Sequence, residues 1–372
     1  MTERIPLAQP ELGEREEALM LEVLRSGRLS LGPYLERFER EFAAWTGTSD
    51  AVAVSSGTAA LHLGVRGIGW SPGDIVLTTP LSFVASANCL LYEGAQPVFC
   101  DIDPVTLNID PDAVAAAAGH RTAGLLPVHI FGYPADMARL EELASKRRLP
   151  ILEDACQALG AVCADGTRVG ARGHSAAFAF YANKQLTTGE GGVLAPAGAE
   201  TAARARSERN QGRSADMQVM DHERLGFNYR MSDLHAALGV AQLERLDDTL
   251  ARRAAVAAAY TERLSGIEGL TLPCPDTDGA KRSWFVYVVQ VADGADREAV
   301  ISHLAEQGIA SKPYLPCIHL QPYYRARFGF RGGEFPVAES VAERSLALPF
   351  FPAMTDSQVD RVCEALRGRL PG

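Results

Sequence analysis

From about residue 50 to residue 195, short apolar runs alternate with amphipathic stretches at the spacing of strands and helices. Ala51–Val54 reads as a strand, followed by a helix that opens at Ser55-Ser56-Gly57-Thr58. Asp74–Thr79 (DIVLTT) reads as a second strand and Phe83–Tyr92 as a helix. Pro97–Cys100 is a third strand, and Asp110–Ala118 a helix whose first turn suits Pro111, since an N–H is not needed there. Gly124–Val128, the helix Asp136–Lys146 and Pro150–Glu153 repeat the pattern, and Ala176–Phe180 and Gly192–Leu194 add two more strands. Strands of this kind are apolar on both faces, which predicts an α/β fold with a mostly parallel central sheet covered by helices on each side. Ligands of such sheets bind beyond the carboxyl ends of the strands, so the residues just after each strand are the place to look for chemistry.

After residue 230 the pattern changes. Ser232–Leu264, rich in Ala and Leu with interspersed Arg and Glu, reads as one long or bent helix. A strand (Ser283–Val291), a helix (Arg297–Gln307), a short strand near Ile309–Tyr314 and a final helix (Asp356–Leu370) follow. The division expected is a large domain over 1–245, with the N-terminal segment packing across it, and a smaller α+β C-terminal domain over 246–372. No internal repeat is visible.

The 372 residues, 47% hydrophobic and 22% charged, suffice for two such cores. The 34 Gly and 21 Pro are scattered, and no apolar run approaches the roughly eighteen residues of a membrane span. The N-terminus, MTERIPLAQPELGEREE, is charged and lacks the apolar centre of a secretory signal, so a soluble cytoplasmic protein is expected. Lys and Arg total 36 against 46 Asp and Glu, a net charge of -10, with no basic stripe; this argues against a nucleic-acid partner but not against a local basic pocket. The seven cysteines form no CxxC pair and no Cys/His cluster at metal-ligand spacing, so neither a metal site nor a disulfide framework is expected.

Four positions that follow strands fit one another. Lys184, in FAFYANKQLTTGEGG past Ala176–Phe180, sits among apolar and aromatic neighbours; desolvation there lowers an ammonium's pKa, as a Schiff-base lysine requires. A solvated surface charge is the plainer reading. Asp154 ends the strand Pro150–Glu153 in ILEDACQALG, where a carboxylate can hold a ring nitrogen protonated or simply cap a following helix. Gln157, three residues on and one helical turn away, could reach a ring hydroxyl from the same side, or be a plain surface amide. Ser56-Gly57-Thr58 after Ala51–Val54 offers free N–H groups and a close-approach glycine for a phosphate, or an ordinary helix start. Phe83, after Asp74–Thr79 and Pro80, could stack on a flat heteroaromatic ring or belong to the core. Together they cover the phosphate, ring face, ring nitrogen and aldehyde of one cofactor.

These segments (SSGTAALHL, TTPLSFVASAN, PVHIFGYPADM, ILEDACQALGA, FYANKQLTTGEGG and GFNYRMSDLHAALGVAQL) resemble the DegT/DnrJ/EryC1/StrS aminotransferase family over about residues 5 to 370. The resemblance implies the aspartate-aminotransferase-like fold type I, pyridoxal 5'-phosphate and a homodimer with active sites at the interface. It also implies amino transfer from glutamate to a keto-sugar, most often nucleotide-linked, such as a 4-keto-6-deoxy hexose. Within it, Lys184 matches the lysine that binds the cofactor aldehyde, Asp154 the ring-nitrogen partner, Gln157 the residue beside the ring hydroxyl and Phe83 the stacking aromatic. Gly57 and Thr58 match the phosphate cup, Asn228 an asparagine reaching the phosphate in the other subunit, and His319 a histidine near the sugar. Asn228 alone also reads as a turn residue, and His319 as a structural histidine. Arg230, Lys281 and Arg282 are candidates for an acceptor's diphosphate, though such residues are commonly just solvated. Many members use a serine hydroxyl on the phosphate where this chain has Ala179, which shifts that task to backbone N–H groups, Thr58 and Asn228. Members that remove a sugar hydroxyl carry histidine in place of the lysine, so Lys184 argues for amino transfer. Keto-cyclitol aminotransferases of the scyllo-inosose type belong to the same family and remain the alternative; a non-catalytic descendant would have lost Lys184 or Asp154.

Overall fold

The computed structural model describes residues 4–214, 216 and 220–370. Seven strands of the first part are β1 (Val52–Val54), β2 (Ile75–Thr78), β3 (Gln96–Phe99), β4 (Thr122–Leu126), β5 (Leu152–Asp154), β6 (Ser175–Ala179) and β7 (Gly192–Ala195). Their pairings, with the bridges Leu125–Ile151 and Val128–Asp154, give one sheet in the order β3-β2-β4-β5-β6-β7-β1. All neighbours are parallel except that β7 runs antiparallel to both β6 and β1. The expected mostly parallel sheet is therefore present, with one reversed strand.

The strands read as unbroken apolar runs because successive side chains enter different cores. Ala53, Leu77, Phe178 and Val193 face one core with the helices Pro33–Thr46, Met137–Arg147 and Asp233–Glu244. Val54, Val76, Ala177 and Leu194 face the other, under Gly57–Ile68, Ala85–Tyr92 and Ala199–Arg209. The helices Glu14–Ser26 and Pro33–Thr46, for which no expectation was drawn, bury Leu19, Val23, Phe38 and Phe42 on the first face. Each ends at a glycine, Gly27 or Gly47, with positive φ.

The expected helix over Ser232–Leu264 is two helices, Asp233–Glu244 and Leu246–Leu264, parted at Arg245. The first is buried along most of its length in the large unit. The second turns a single apolar face (Val256, Ala257, Tyr260, Leu264) to a separate core, and the break lets each helix follow its own packing partner. That second core holds a four-stranded antiparallel sheet in the order β10-β11-β9-β8, from β8 (Leu270–Thr271), β9 (Tyr287–Val291), β10 (Lys312–Pro313) and β11 (Ser345–Leu348). Ile5 belongs to it: its N–H and C=O bond Gly308 and Ala310. The N-terminal segment thus packs into the smaller unit before the chain enters the larger one. Residues 315–341 dock back onto the large unit, where Asp101 accepts the N–H groups of Val337 and Ala338 and Ile318 donates to Pro80 O. Among the described residues no helix is long and apolar enough to cross a membrane.

Candidate active site

Lys184 follows β6 in a loop closed by hydrogen bonds from Lys184 N to Tyr181 O (2.9 Å) and Thr188 N to Phe180 O (2.9 Å), with the Thr187 hydroxyl accepting from Gly189 N. The side chain is half-buried, with Nζ 3.9 Å from the centre of the Phe285 ring. Desolvation lowers its pKa to about 8, opposed by neighbouring Cys156 and Asp154. An amine that can give up its proton close to physiological pH is what nucleophilic and base chemistry needs.

Asp154, at the end of β5, is buried with both carboxylate oxygens engaged. Ser86 Oγ donates to Oδ2 at 2.6 Å, Ser82 Oγ lies 2.7 Å from Ser86 Oγ, and Cys156 N donates to Oδ1 at 3.1 Å. No helix follows it; residues 155–161 form successive turns, so the helix-cap reading of Asp154 does not hold. Gln157 is reached through those turns rather than along a helix. Its Oε1 accepts from Phe131 N at 3.0 Å, which turns the amide NH2 away from that contact. Burial pushes the Cys156 thiol well up, so it stays protonated beside the lysine.

Ser56 caps the helix Gly57–Ile68 by accepting from Ala59 N. The N–H groups of Gly57 and Thr58, in the first turn, have no acceptor within the helix and suit an anion. Gly57 lies against β6: a Cβ there would stand 2.5 Å from Ala179 Cβ and 3.0 Å from Cys156 Sγ. The segment 227–230 runs alongside, with Ser55 N donating to Tyr229 O and Arg230 bridging Val54. Arg230 Nη1 donates to Asn210 Oδ1, and Asn228 is exposed.

Phe83 is 60% exposed, which rules out a core role within this chain. With Ser82, Asn88, Leu315, Tyr323 and Tyr324 it lines a cleft of about 580 Å³ between the two units. Three of the substrate candidates, His319, Arg282 and Lys281, lie elsewhere. His319 is fully buried among Phe99, Phe330 and Phe335, its Nε2 3.0 Å from Glu339 Oε1, so its placement is that of a structural histidine behind the cleft. Arg282 is half-buried between Tyr133 and Trp284 with its charge disfavoured by burial, and lines a separate pocket of about 260 Å³ with Phe131 and Cys274. Lys281 is exposed, and its backbone pairs with Val162.

Lys184, Asp154, Gln157 and the Gly57–Thr58 turn thus gather at the carboxyl ends of β6, β5 and β1. Phe285 and Ser86 were missed by sequence reasoning. Ser86 had a weak signal, four residues after Ser82 at a helix start; Phe285 had none, because its contact to Lys184 is made by the fold alone.

The sequence pattern of the DegT/DnrJ/EryC1/StrS aminotransferase family matches residues 10–367. The spore coat polysaccharide biosynthesis protein SpsC of Bacillus subtilis is 39% identical over 99% of this chain and 97% of its own length. The GDP-perosamine synthase of Caulobacter vibrioides is 36% identical over 98% and 97%. Among solved structures, S. venezuelae DesV in complex with a ketimine intermediate superimposes with a TM-score of 0.93 at 39% identity, covering 99% of this chain and 98% of that one. The expected fold type I is the architecture found. With the pattern spanning nearly the whole chain and the strand-end residues in place, this protein belongs to the DegT/DnrJ/EryC1/StrS aminotransferase family.

Proposed function

We propose that the protein uses pyridoxal 5'-phosphate to carry an amino group from glutamate to a keto-sugar, a nucleotide-linked 4-keto-6-deoxy hexose. The observation that carries this reading is the half-buried lysine at the end of β6, with a hydrogen-bonded carboxylate at the end of the adjacent β5. The residues fit the cofactor: two helix N–H groups for the phosphate, Asp154 for the ring nitrogen, the Gln157 amide for the ring hydroxyl, exposed Phe83 for the ring face and Lys184 for the aldehyde. When bound, the cofactor supplies an electron sink for the pair left on carbon as its proton departs. Lys184 Nζ takes that proton and returns it at the neighbouring position, first as base and then as acid. Asp154, fixed by Ser86 and Cys156 N, keeps the ring nitrogen cationic. In a homodimer, exposed Asn228 would serve the phosphate of the partner's site.

The choice of acceptor draws on the relatives, one named for a GDP-linked sugar and one for polysaccharide biosynthesis. Borohydride reduction of the cofactor-bound protein should tether the label to a single peptide containing Lys184; label on another lysine defeats the proposal. Nucleotide-linked keto-sugars supplied with glutamate should yield 2-oxoglutarate and an aminated product of the matching mass. Turnover of scyllo-inosose instead would establish the cyclitol alternative.

A further inference from the structure

Arg253, on the helix Leu246–Leu264 of the smaller unit, is only 3% exposed, and among the described residues it has no carboxylate partner. Burying an unpaired guanidinium is costly, so its placement calls for a reason. Its two terminal nitrogens donate to backbone carbonyls of two separate loops, while Nε has no partner among the described residues. Nη2 donates to Lys184 O at 3.1 Å, and Nη1 donates to Phe285 O at 3.2 Å and to Trp284 O at 3.4 Å. The Phe285 ring is the surface on which Lys184 Nζ rests. A second tie runs in parallel: Gln185 Nε2 donates to Gln157 O (2.7 Å) and Ser283 Oγ (3.0 Å).

We propose that Arg253 is a positioning residue for Lys184, its guanidinium clamping the lysine's own carbonyl to the Phe285 loop so that the ε-amine stays on the ring face. The inference rests on the reading of Lys184 as the reacting lysine. Arg253 touches neither cofactor nor substrate; it acts from the smaller unit on a loop of the larger one. Loosening that clamp would free the amine from its apolar seat and let water reach it, which raises its pKa toward the ordinary lysine value.

The test compares Arg253→Met, Arg253→Lys and the unaltered protein. In cofactor-free protein, acetic anhydride labelling of Lys184, read peptide by peptide across pH, should show its midpoint rising by about one unit in Arg253→Met. In the cofactor-bound enzyme kcat should fall at least tenfold, roughly the cost of misplacing a reacting group, with the KM for the acceptor within about threefold. Arg253→Lys should recover part of both. A folded Arg253→Met protein with an unshifted midpoint and unchanged kcat overturns the inference. Should Arg253→Met fail to fold, Phe285→Leu and Arg253→Lys carry the same measurements, and unshifted midpoints in both overturn it equally. Borohydride label on a different lysine would instead overturn the proposed function, while the labelling midpoint in cofactor-free protein still decides the contact between Arg253 and the Lys184 loop.

Discussion

In the proposed reaction two residues, Lys184 and Asp154, carry the chemistry. The lysine's lowered pKa arises first from burial, which disfavours its charged form. Its folded value, about 8, lies below the ordinary lysine value, so the unfolded chain holds the proton more tightly. Both states are protonated below about pH 8, where the penalty is constant; it is relieved as pH climbs from there toward about 10.4. The stability that cofactor-free Lys184→Met gains over the unaltered protein should therefore shrink between pH 7.5 and 9.5 in urea melts. For Asp154→Asn, a residue of the same size that no longer carries the charge, activity should drop roughly 10²–10⁴-fold while borohydride still tethers the cofactor to Lys184. Ser86→Ala should cost about tenfold, one hydrogen bond to a charged group, in the same assay. At this scale the sequence exposed what sits at a strand's end. Phe285 and Arg253 escaped because they lie far along the chain, and a buried guanidinium spent on carbonyls leaves no mark in residue order.

Among the elements, strands were legible where apolar runs were short and bounded, and the first helices of the sheet region were legible from their caps. The direction of β7 was not, since pairing sense is decided by neighbours rather than by composition. The short helices Pro322–Phe328 and Pro336–Arg344 also went unseen, being too brief to show a period, although Pro stands at the start of each. One close contact between elements is Gly57 against β6, and it is testable. Gly57→Ala places a methyl within 2.5 Å of Ala179 Cβ and should cost about 1–3 kcal/mol by overpacking. Pairing it with Ala179→Gly should restore part of the loss, a coupling of about 0.5 kcal/mol or more in a denaturation cycle. Strict additivity would mean that the helix and the strand are not in contact there.

For the molecule as a whole, the large and small units have separate cores yet are stitched twice, by Ile5 in the distal core and by residues 315–341 on the large unit. The helix breaks at Arg245, and the N-terminal segment returns to the smaller unit's core, which a linear division of the chain cannot express. Ile5, 1% exposed, pairs with residues about three hundred positions away. Ile5→Ala should destabilise by about 2–5 kcal/mol, and fluorescence of Trp284 should report the loss in the smaller unit. A transition that leaves Trp284 unaffected would show that this stitch contributes little.

Because β7 runs against its neighbours, the chain leaving β6 turns back on the spot instead of crossing the sheet through a helix. The reactive amine therefore rides on a span anchored at both feet, and neither foot can drift without pulling the other. The far foot is Gly192, where an added Cβ would stand 2.5 Å from Ser56 O and 2.7 Å from Gly57 N. Under the proposed function, nucleophile and anion seat are two ends of one bracket: a bulkier residue at Gly192 would disturb the grip on phosphate and the reach of the lysine together, so the two properties could not be retuned one at a time.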